Sequence, residues 1–174
     1  MTNIGGDYLT QIGHLRAFSQ KRIDLVEPPS LVCNFDAPGK PRPKGNIIKG
    51  RFGGYHDATK GLDKWLLVVR GCARAAMRDN PIITCPVTAR LAFCFVRPKG
   101  HFTLSGTLSA KGRREPLPTT RTYGDIDKLA RAILDALTGI VYKDDCLVTP
   151  IEAGKTWAEK PGVRVIIIRT DVGG

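Results

Sequence analysis

Residues 124–145 read GDIDKLARAILDALTGIVYKDD, and the rest of the chain is interpreted outward from them. Apolar residues recur over 126–137 at the i, i+3, i+4, i+7 spacing of an amphipathic helix. Either Asp125 or Asp127 can cap the N-terminus of this helix, and Gly139 can close its C-terminus. The stretch therefore predicts one well-delimited helix with a continuous apolar stripe.

The same stretch is acidic, although the protein as a whole is basic. At about 100° per residue, Asp127, Arg131 and Asp135 fall along one border of the apolar stripe. Asp144 and Asp145 follow a short apolar run that can bring them back beside the helix start. Carboxylates gathered at one place repel each other unless a cation shares the site. The pattern therefore indicates a site for a hard divalent cation, with Mg²⁺ as the natural ion and Mn²⁺ as a substitute.

These residues resemble the signature of the RusA family of Holliday-junction resolvases, which reads roughly Asp-x-Asp-Asn-Leu-x-Lys, then Asp-Ala-Leu, then Asp-Asp-x-Gln-Val. The matching segments here are Asp125-Ile126-Asp127-Lys128-Leu129-Ala130-Arg131, Asp135-Ala136-Leu137 and Asp144-Asp145-Cys146-Leu147-Val148. All acidic positions are kept, whereas Lys128, Arg131 and Leu147 stand where the family has Asn, Lys and Gln. The resemblance covers about residues 31–170, and several fixed spacings agree together.

The resemblance implies that Asp125, Asp127 and Asp145 hold the metal ion and are catalytic. Arg131, in place of the family lysine, is the fourth catalytic candidate, because a guanidinium can bind phosphate through two hydrogen bonds. It cannot exchange protons near neutral pH, so a proton-transfer task would fall to another group. Asp135 lies too far along the helix to share one ion with Asp127, and is expected to pair with Arg131 or to support the site. Four residues form a second rank of candidates, namely Asp144, Asp135, Lys128 and Lys155.

Composition points to a polyanionic partner, since the net charge is +11 and the pI is about 9.7. Residues 38–60 carry six Lys or Arg against one Asp, and residues 97–121 carry six against one Glu. Both segments are rich in Gly, Pro, Ser and Thr, so we expect exposed loops, and residues 98–123 in particular are predicted to form one long, mobile basic arm. The DNA-contact candidates are Lys40, Arg42, Lys44, Lys49, Arg51, Lys111, Arg113, Arg114 and Arg121.

Other sequence features limit the class of protein. The five cysteines form no C-x-x-C pair, and with three histidines they argue against structural zinc. They are expected to be reduced, buried thiols. No secretory signal or membrane-spanning run is found. We therefore expect a cytoplasmic protein with no membrane partner, and a phage or prophage origin is a further hypothesis from the resemblance.

The order of predicted elements is strand, helix, strand, helix, strand, strand. It favours an α/β (α+β) fold in which a mixed, roughly four-stranded sheet carries two helices packed on one face, as the resemblance also implies. Residues 1–30 are treated as an N-terminal extension, and residues 31–174 as a single RusA-like nuclease domain. The strands are expected at 31–35, 87–95, 146–153 and 163–169, and the helices at 62–77 and 126–137.

The leading hypothesis is a Mg²⁺-dependent endodeoxyribonuclease that resolves four-way DNA junctions by paired nicks in recombination and repair, and works as a homodimer. Charge supports DNA binding, the acidic cluster supports hydrolysis, and the resemblance alone supports the junction and the dimer. Two alternatives stay open. The first is a non-catalytic basic DNA-binding protein in which the aspartates are caps, and the second is a less selective metal-dependent nuclease acting on flaps or branches.

Overall fold

The computed structural model describes residues 31–45, 47–49, 55–57 and 59–170, so the predicted extension 1–30 lies outside the described residues. The strands are β1 (Leu31–Pro38), β2 (Ile47–Lys49), β3 (Tyr55–Asp57), β4 (Val87–Val96), β5 (Val148–Ala158) and β6 (Gly162–Arg169). The helices are α1 (Leu62–Met77), α2 (Ala110–Arg114) and α3 (Ile126–Leu137).

The main sheet has the strand order β1–β6–β4–β5 within the described residues. Strand β6 is antiparallel to both of its neighbours, whereas β4 and β5 pair in parallel. The predicted mixed sheet of four strands is therefore confirmed. The central place of β6 explains its apolar run from Val165 to Ile168, because a strand between two others has little contact with water on either side. Strands β2 and β3 form a separate antiparallel hairpin.

Both long helices cover the same face of this sheet. Strand β4 buries every second residue from Val87 to Phe95, as expected for a strand with one apolar face. Helix α1 contacts β1 and α3, and α3 contacts β5. The predicted packing of two helices on one face is confirmed, and a single core joins the buried stripes of α1 (Trp65, Val69, Ala73) and α3 (Leu129, Ile133, Leu137) to the inward residues of the strands (Ala89, Leu91, Phe93, Val165).

The structure corrects the predicted start of β5. The carboxylate of Asp144 accepts a hydrogen bond from the backbone N–H of Cys146 at 2.9 Å. This bond turns the chain into a short 3₁₀ helix over Asp145–Leu147, so β5 begins at Val148 and not at Cys146. Pairing with β4 then carries the strand beyond Ala153 to Ala158, which lies opposite Val96.

The prediction of one continuous loop over 98–123 is wrong. That segment contains a 3₁₀ turn at Lys99–His101, helix α2, and a second 3₁₀ turn at Arg121–Tyr123. The side chain of Ser109 accepts a hydrogen bond from the backbone N–H of Gly112 and so caps α2. This capping bond is typical of the start of a stable helical turn, and the segment has a defined path.

The sheet face that does not meet the helices carries ion pairs instead of a second core. Arg164 makes two hydrogen bonds to the carboxylate of Asp36, at 2.9 and 2.7 Å. Nε of Arg90 lies 3.1 Å from Oε2 of Glu152. Ile166, which is buried on this face, lies outside the core cluster that joins the helices to the sheet. The face therefore combines apolar surface with paired charges.

The length and polarity of the helices and the burial of the cysteines are two further features of the structure. No helix of the described residues is long and apolar enough to cross a membrane. Burial raises the pKa of the Cys33 thiol to about 12, as expected for an inert core cysteine. Cys85 and Cys146 are exposed and Cys72 and Cys94 are half-buried, so the prediction of buried cysteines holds in full for Cys33 alone.

Candidate active site

The N-terminus of α3 presents two aspartates to solvent. Asp125 occupies the N-cap position and Asp127 lies in the first turn, although the Asp125 side chain makes no capping hydrogen bond to the helix. The chain enters the helix through Gly124, whose φ of 72° is a conformation that favours glycine. Nζ of Lys155, on β5, donates to the carbonyl oxygen of Gly124 at 2.8 Å. The helix start is thus tied to the sheet one residue before Asp125.

Basic residues surround the first of these carboxylates. Nζ of Lys128 lies 2.9 Å from Oδ2 of Asp125, and both side chains are exposed. This hydrogen-bonded pair, with weaker help from the charges of Lys155 and Arg121, holds the pKa of Asp125 below its ordinary value. The pKa of Lys128 is raised in turn by Asp125 and, to a lesser extent, by Asp127. Asp125 therefore stays ionised to a lower pH than a free aspartate.

The second acidic pair returns to α3 beside its C-terminal half. The buried hydroxyl of Tyr142 donates to the carbonyl oxygen of Leu134 at 3.0 Å, which fixes the segment that precedes the acidic pair. Burial, followed by the charges of Asp145 and Asp135, raises the pKa of Tyr142. The carboxylate of Asp144 closes its own turn, and its pKa is lowered by that backbone hydrogen bond from Cys146.

The predicted grouping of carboxylates is met only in part. Among residues 31–45 and 59–170, no group of three or more His, Cys, Asp or Glu side chains is arranged to hold a metal ion. Asp125 and Asp127 are exposed, oxygen-bearing and two residues apart, and Mg²⁺ requires only one or two protein carboxylates when it keeps waters and contacts phosphate. The carboxylate oxygens of this pair are therefore suitable ligands for Mg²⁺. One of them, Oδ2 of Asp125, is paired with Nζ of Lys128. The inclusion of Asp145 stays a prediction.

Asp135 pairs with a partner that the sequence did not indicate. Its carboxylate forms an ion pair with Lys44 and not with the expected Arg131, which is exposed on the same helix. The backbone N–H of Lys44 also donates to the carbonyl oxygen of Lys128 at 3.1 Å. Lys44, predicted to contact DNA, thereby fastens residues 40–45 along the surface of α3.

The same segment approaches the helix start closely. A Cβ placed on Gly124 would lie 2.7 Å from Cγ of Pro43, so only glycine fits at this contact. Gly139, at the other end of α3, has nearly the same φ of 73° but no atom within 4 Å of a Cβ. The two glycines share a backbone conformation and differ in their surroundings.

Gly124→Ala should therefore destabilise the protein more than Gly139→Ala. The change at Gly139 carries only the left-handed strain, about 1 kcal/mol, whereas Gly124→Ala adds the collision with Pro43 and should lower the unfolding free energy by about 3 kcal/mol. Urea unfolding of both variants measures the difference. Equal losses would mean that residues 40–45 move away from α3 at no cost.

A buried arginine organises the segment that leads to the site. Arg97 follows β4, is only 8% exposed, and donates to the carbonyl oxygens of Gly112 at 2.8 Å and Glu115 at 3.1 Å. Its guanidinium lies 5.0 Å from the ring centroid of Trp157, whose Nε1 donates to the same Glu115 oxygen at 3.0 Å. Because Arg97 binds the carbonyl oxygens of the middle residue and the C-cap of α2, it fixes the position of α2 against the sheet.

Aromatic contacts extend this cluster to the acidic helix. The ring of Trp157 is 5.6 Å from that of His101 and 5.0 Å from that of Tyr123, both edge-to-face. Tyr123 also packs on Phe95 at 5.1 Å and stands two residues before Asp125. The sequence interpretation missed Arg97 and Trp157 as organising residues. The available signal was position, since Arg97 directly follows β4 at the start of the segment that leads into the site and Trp157 lies near the end of β5.

The remaining DNA-contact candidates fall into three groups. Lys40 and Arg121 are exposed, as are the three basic residues of α2. The guanidinium of Arg42 lies beside Gly61, close to the start of α1. The side chain of Lys49, in β2, and the whole of Arg51 lie outside the described residues. Five exposed cations lie on the 98–123 segment, which precedes the aspartates: Lys99, Lys111, Arg113, Arg114 and Arg121.

Comparison with known proteins adds two findings. A family model described as "Endodeoxyribonuclease RusA" matches residues 38–168, which is most of the chain. The chain is also 29% identical over 129 residues to the Bacillus subtilis (strain 168) protein described as "Uncharacterized protein YqaN". That alignment covers 72% of this chain and 85% of the relative. The matched region contains β4 to β6, α1 to α3 and all of the candidate catalytic residues.

Proposed function

Because the chain belongs to the RusA family of endodeoxyribonucleases, we propose that it is a Mg²⁺-dependent enzyme that resolves four-way DNA junctions by hydrolysing phosphodiesters. The observation that carries this proposal is the exposed aspartate pair at the start of α3 inside the family match. Three cations stand around that pair, on Lys128, Lys155 and Arg121, and they suit a polyanionic substrate. The net charge of +11 favours the same class of partner.

Each residue of the proposed site has a separate task. Asp125 and Asp127, with Asp145 as a third candidate, would hold the metal ion, which when bound supplies an activated water and stabilises charge on the phosphate. Arg131 lies one turn beyond Asp127 on the exposed side of α3, where its guanidinium can bind a phosphate oxygen pair. Lys155 keeps the Gly124 carbonyl oxygen in place and so positions Asp125.

A homodimer is part of this proposal, since two symmetric nicks require two sites related by a two-fold axis. The sheet face opposite the helices is the surface that suits a second copy. It carries apolar Ile166 and the small residues Ala92 and Gly154, together with the charged pairs Asp36–Arg164 and Arg90–Glu152. Protein interfaces combine apolar contact area with hydrogen-bonded polar groups in this way. Sedimentation of the purified protein, with Ala92→Arg as the disrupting variant, measures the oligomeric state.

One observation favours a second candidate, a DNA-binding protein without catalysis. Lys128 neutralises Asp125 directly, and this position is Asn in the family signature. An ammonium group competes with a metal ion for the same carboxylate, so the departure acts against metal binding.

Cleavage of a labelled four-way junction tests the two candidates together. The junction, the matching linear duplex and a flap substrate are incubated with the protein and Mg²⁺. Paired symmetric cuts in the junction alone support the resolvase, and cuts in the flap as well support a less selective nuclease. Binding of the junction without any cut, with Mg²⁺ and with Mn²⁺, overturns the catalytic proposal in favour of the binding protein.

Lys128→Asn should strengthen metal binding, because it removes the ammonium group that occupies Asp125. The half-saturating Mg²⁺ concentration for junction cleavage is expected to fall by roughly two- to ten-fold. Lys64→Asn is the matched control, since Lys64 is the third residue of α1 as Lys128 is of α3. Calorimetric titration with Mg²⁺ gives a readout that is independent of cleavage, and an unchanged metal affinity would contradict the competition between lysine and metal.

A further inference from the structure

A narrow turn projects from the segment before the acidic helix, and its tip is apolar. Residues 102–108, here called the tip turn, are closed by an antiparallel bridge between Phe102 and Leu108. Leu104 stands at the tip with 111% of the reference exposure of leucine, and Phe102 is 41% exposed. Single exposed apolar residues are common on protein surfaces, so exposure alone indicates nothing. The construction of the turn and its surroundings distinguish this one.

Hydrogen bonds hold the tip turn in one shape. The backbone N–H of Thr103 donates to the carbonyl oxygen of Thr107 at 2.8 Å, and that of Gly106 donates back to Thr103 at 3.0 Å. Gly106 has φ of 80°, which this tight reversal requires. The hydroxyl of Thr103 lies 2.9 Å from that of Ser105 and 2.8 Å from that of Thr107. Leu104 is thus presented on a stiff support, and it contributes no packing to the fold.

The base of the tip turn is anchored in the cluster that also positions the site. His101, 2% exposed, accepts from the backbone N–H of Ser109 at 2.9 Å through its carbonyl oxygen and contacts the Trp157 ring. Gly112 packs so closely on His101 that a Cβ would lie 2.3 Å from its carbonyl oxygen. Trp157 in turn contacts Tyr123, two residues before Asp125. One rigid cluster therefore sets the tip turn relative to the aspartates.

Cations flank the apolar tip. Nη1 of Arg113 donates to the carbonyl oxygen of Leu108 at 2.6 Å, which fastens α2 against the turn. Lys99 precedes the turn, and Lys111 and Arg114 follow it on α2, all exposed. Basic residues on both sides favour a polyanionic partner over a neutral one. An apolar side chain among phosphate-binding cations is the arrangement by which proteins enter between DNA bases.

We propose that Leu104, supported by Phe102, is a wedge that enters between bases at the branch point of DNA, while Lys99 and α2 hold the adjoining phosphates. The ligand is the exposed face of a base at a helix end or junction, where stacking is already incomplete. This inference rests on the proposed function, and it assigns to the tip turn the discrimination of branched from continuous DNA.

The test compares Leu104→Ser with Leu117→Ser, because Leu117 is a second exposed leucine (41%) in the same segment but away from the tip. Binding is measured without divalent metal, on a four-way junction with 2-aminopurine at the branch point and on the matching duplex. Wild type and Leu117→Ser should raise the fluorescence of the unstacked base. Leu104→Ser should lose that rise and bind the junction roughly ten-fold more weakly, with duplex affinity unchanged. Leu104→Met should restore both signals.

The outcomes separate the wedge from the function on which it rests. If wild type binds the junction no better than the duplex and fails to cut it, the proposed function and the wedge fall together. If wild type prefers and cuts the junction while Leu104→Ser behaves identically, the wedge alone is overturned. If Leu104→Ser lowers the affinity for junction and duplex equally, Leu104 is a general contact to the DNA backbone. If the substitution changes only the oligomeric state measured by sedimentation, Leu104 is a contact between protein chains. Both results refute the wedge.

Discussion

Asp127→Asn is expected to abolish junction cleavage while leaving junction binding intact. The amide keeps the size of the side chain but removes the negative charge that would help hold the metal ion. The cleavage rate should fall by roughly 100-fold or more, as for the loss of a group that stabilises charge in the transition state. Single-turnover cleavage of a labelled junction measures the rate, and gel-shift titration without metal measures affinity. Affinity should stay within about two-fold, because removing an acidic group does not weaken attraction to phosphate.

Asp63→Asn is the control for this experiment. Asp63 is exposed at the second residue of α1, the place that Asp127 holds in α3, so both changes remove the same favourable charge from a helix N-terminus. The control variant should cut the junction at the wild-type rate. Similar rates for both variants would show that Asp127 acts only as a helix-end charge, and the catalytic assignment of the pair would then fail.

Arg97→Met is expected to destabilise the protein strongly. Methionine fills much of the arginine volume, but the carbonyl oxygens of Gly112 and Glu115 lose the buried donor that satisfies them. Loss of charge-assisted bonds in a buried place should lower the unfolding free energy by about 3 kcal/mol, or Tm by roughly 10 °C. Thermal unfolding followed by circular dichroism gives both quantities.

Arg114→Met provides the comparison, because Arg114 is an exposed arginine of α2 in the same segment. Its stability should change by no more than about 0.5 kcal/mol. Trypsin adds a local readout, since Lys111 and Arg113 offer cleavage sites that the anchored turn holds in place. Faster cutting there in Arg97→Met than in Arg114→Met is expected. An unchanged rate together with an unchanged Tm would show that Arg97 does not hold α2.

Hydrophobic periodicity predicted the helices, but by itself it could not show which helix carries the candidate active site. Helices α1 and α3 begin with the same pattern, Leu62-Asp63-Lys64 and Ile126-Asp127-Lys128, and both bury a regular apolar stripe. Periodicity therefore located both helices. The start of α3 differs because Pro43, Arg121 and Lys155 gather around it, and in advance the neighbouring aspartates and the resemblance distinguished the two starts.

The predictions that failed depend on contacts between residues far apart in the chain. Asp135 was expected to pair with Arg131, four residues before it, or to support the site; the pairing is wrong, because its partner is Lys44, which lies 91 residues away in sequence. Residues 98–123 were expected to be a loop because their composition is that of a loop. Their order comes from Arg97, whose partner oxygens lie 15 and 18 residues ahead. No window of local sequence contains both partners of such bonds.

Parallel pairing of β4 with β5 makes the assembly of the sheet wait for the residues between them. Antiparallel neighbours can close through a short turn, but parallel strands require a long crossover. Here the crossover is residues 97–147, which include α2, the tip turn, α3 and every candidate aspartate. Non-local pairing of this kind slows folding, because chain entropy is lost before the contacts form. The pairings of β6 with β1 and with β4 join residues still further apart in the chain, so we expect the whole sheet to close late in refolding, at the same moment as the acidic helix and the basic segment take their final positions.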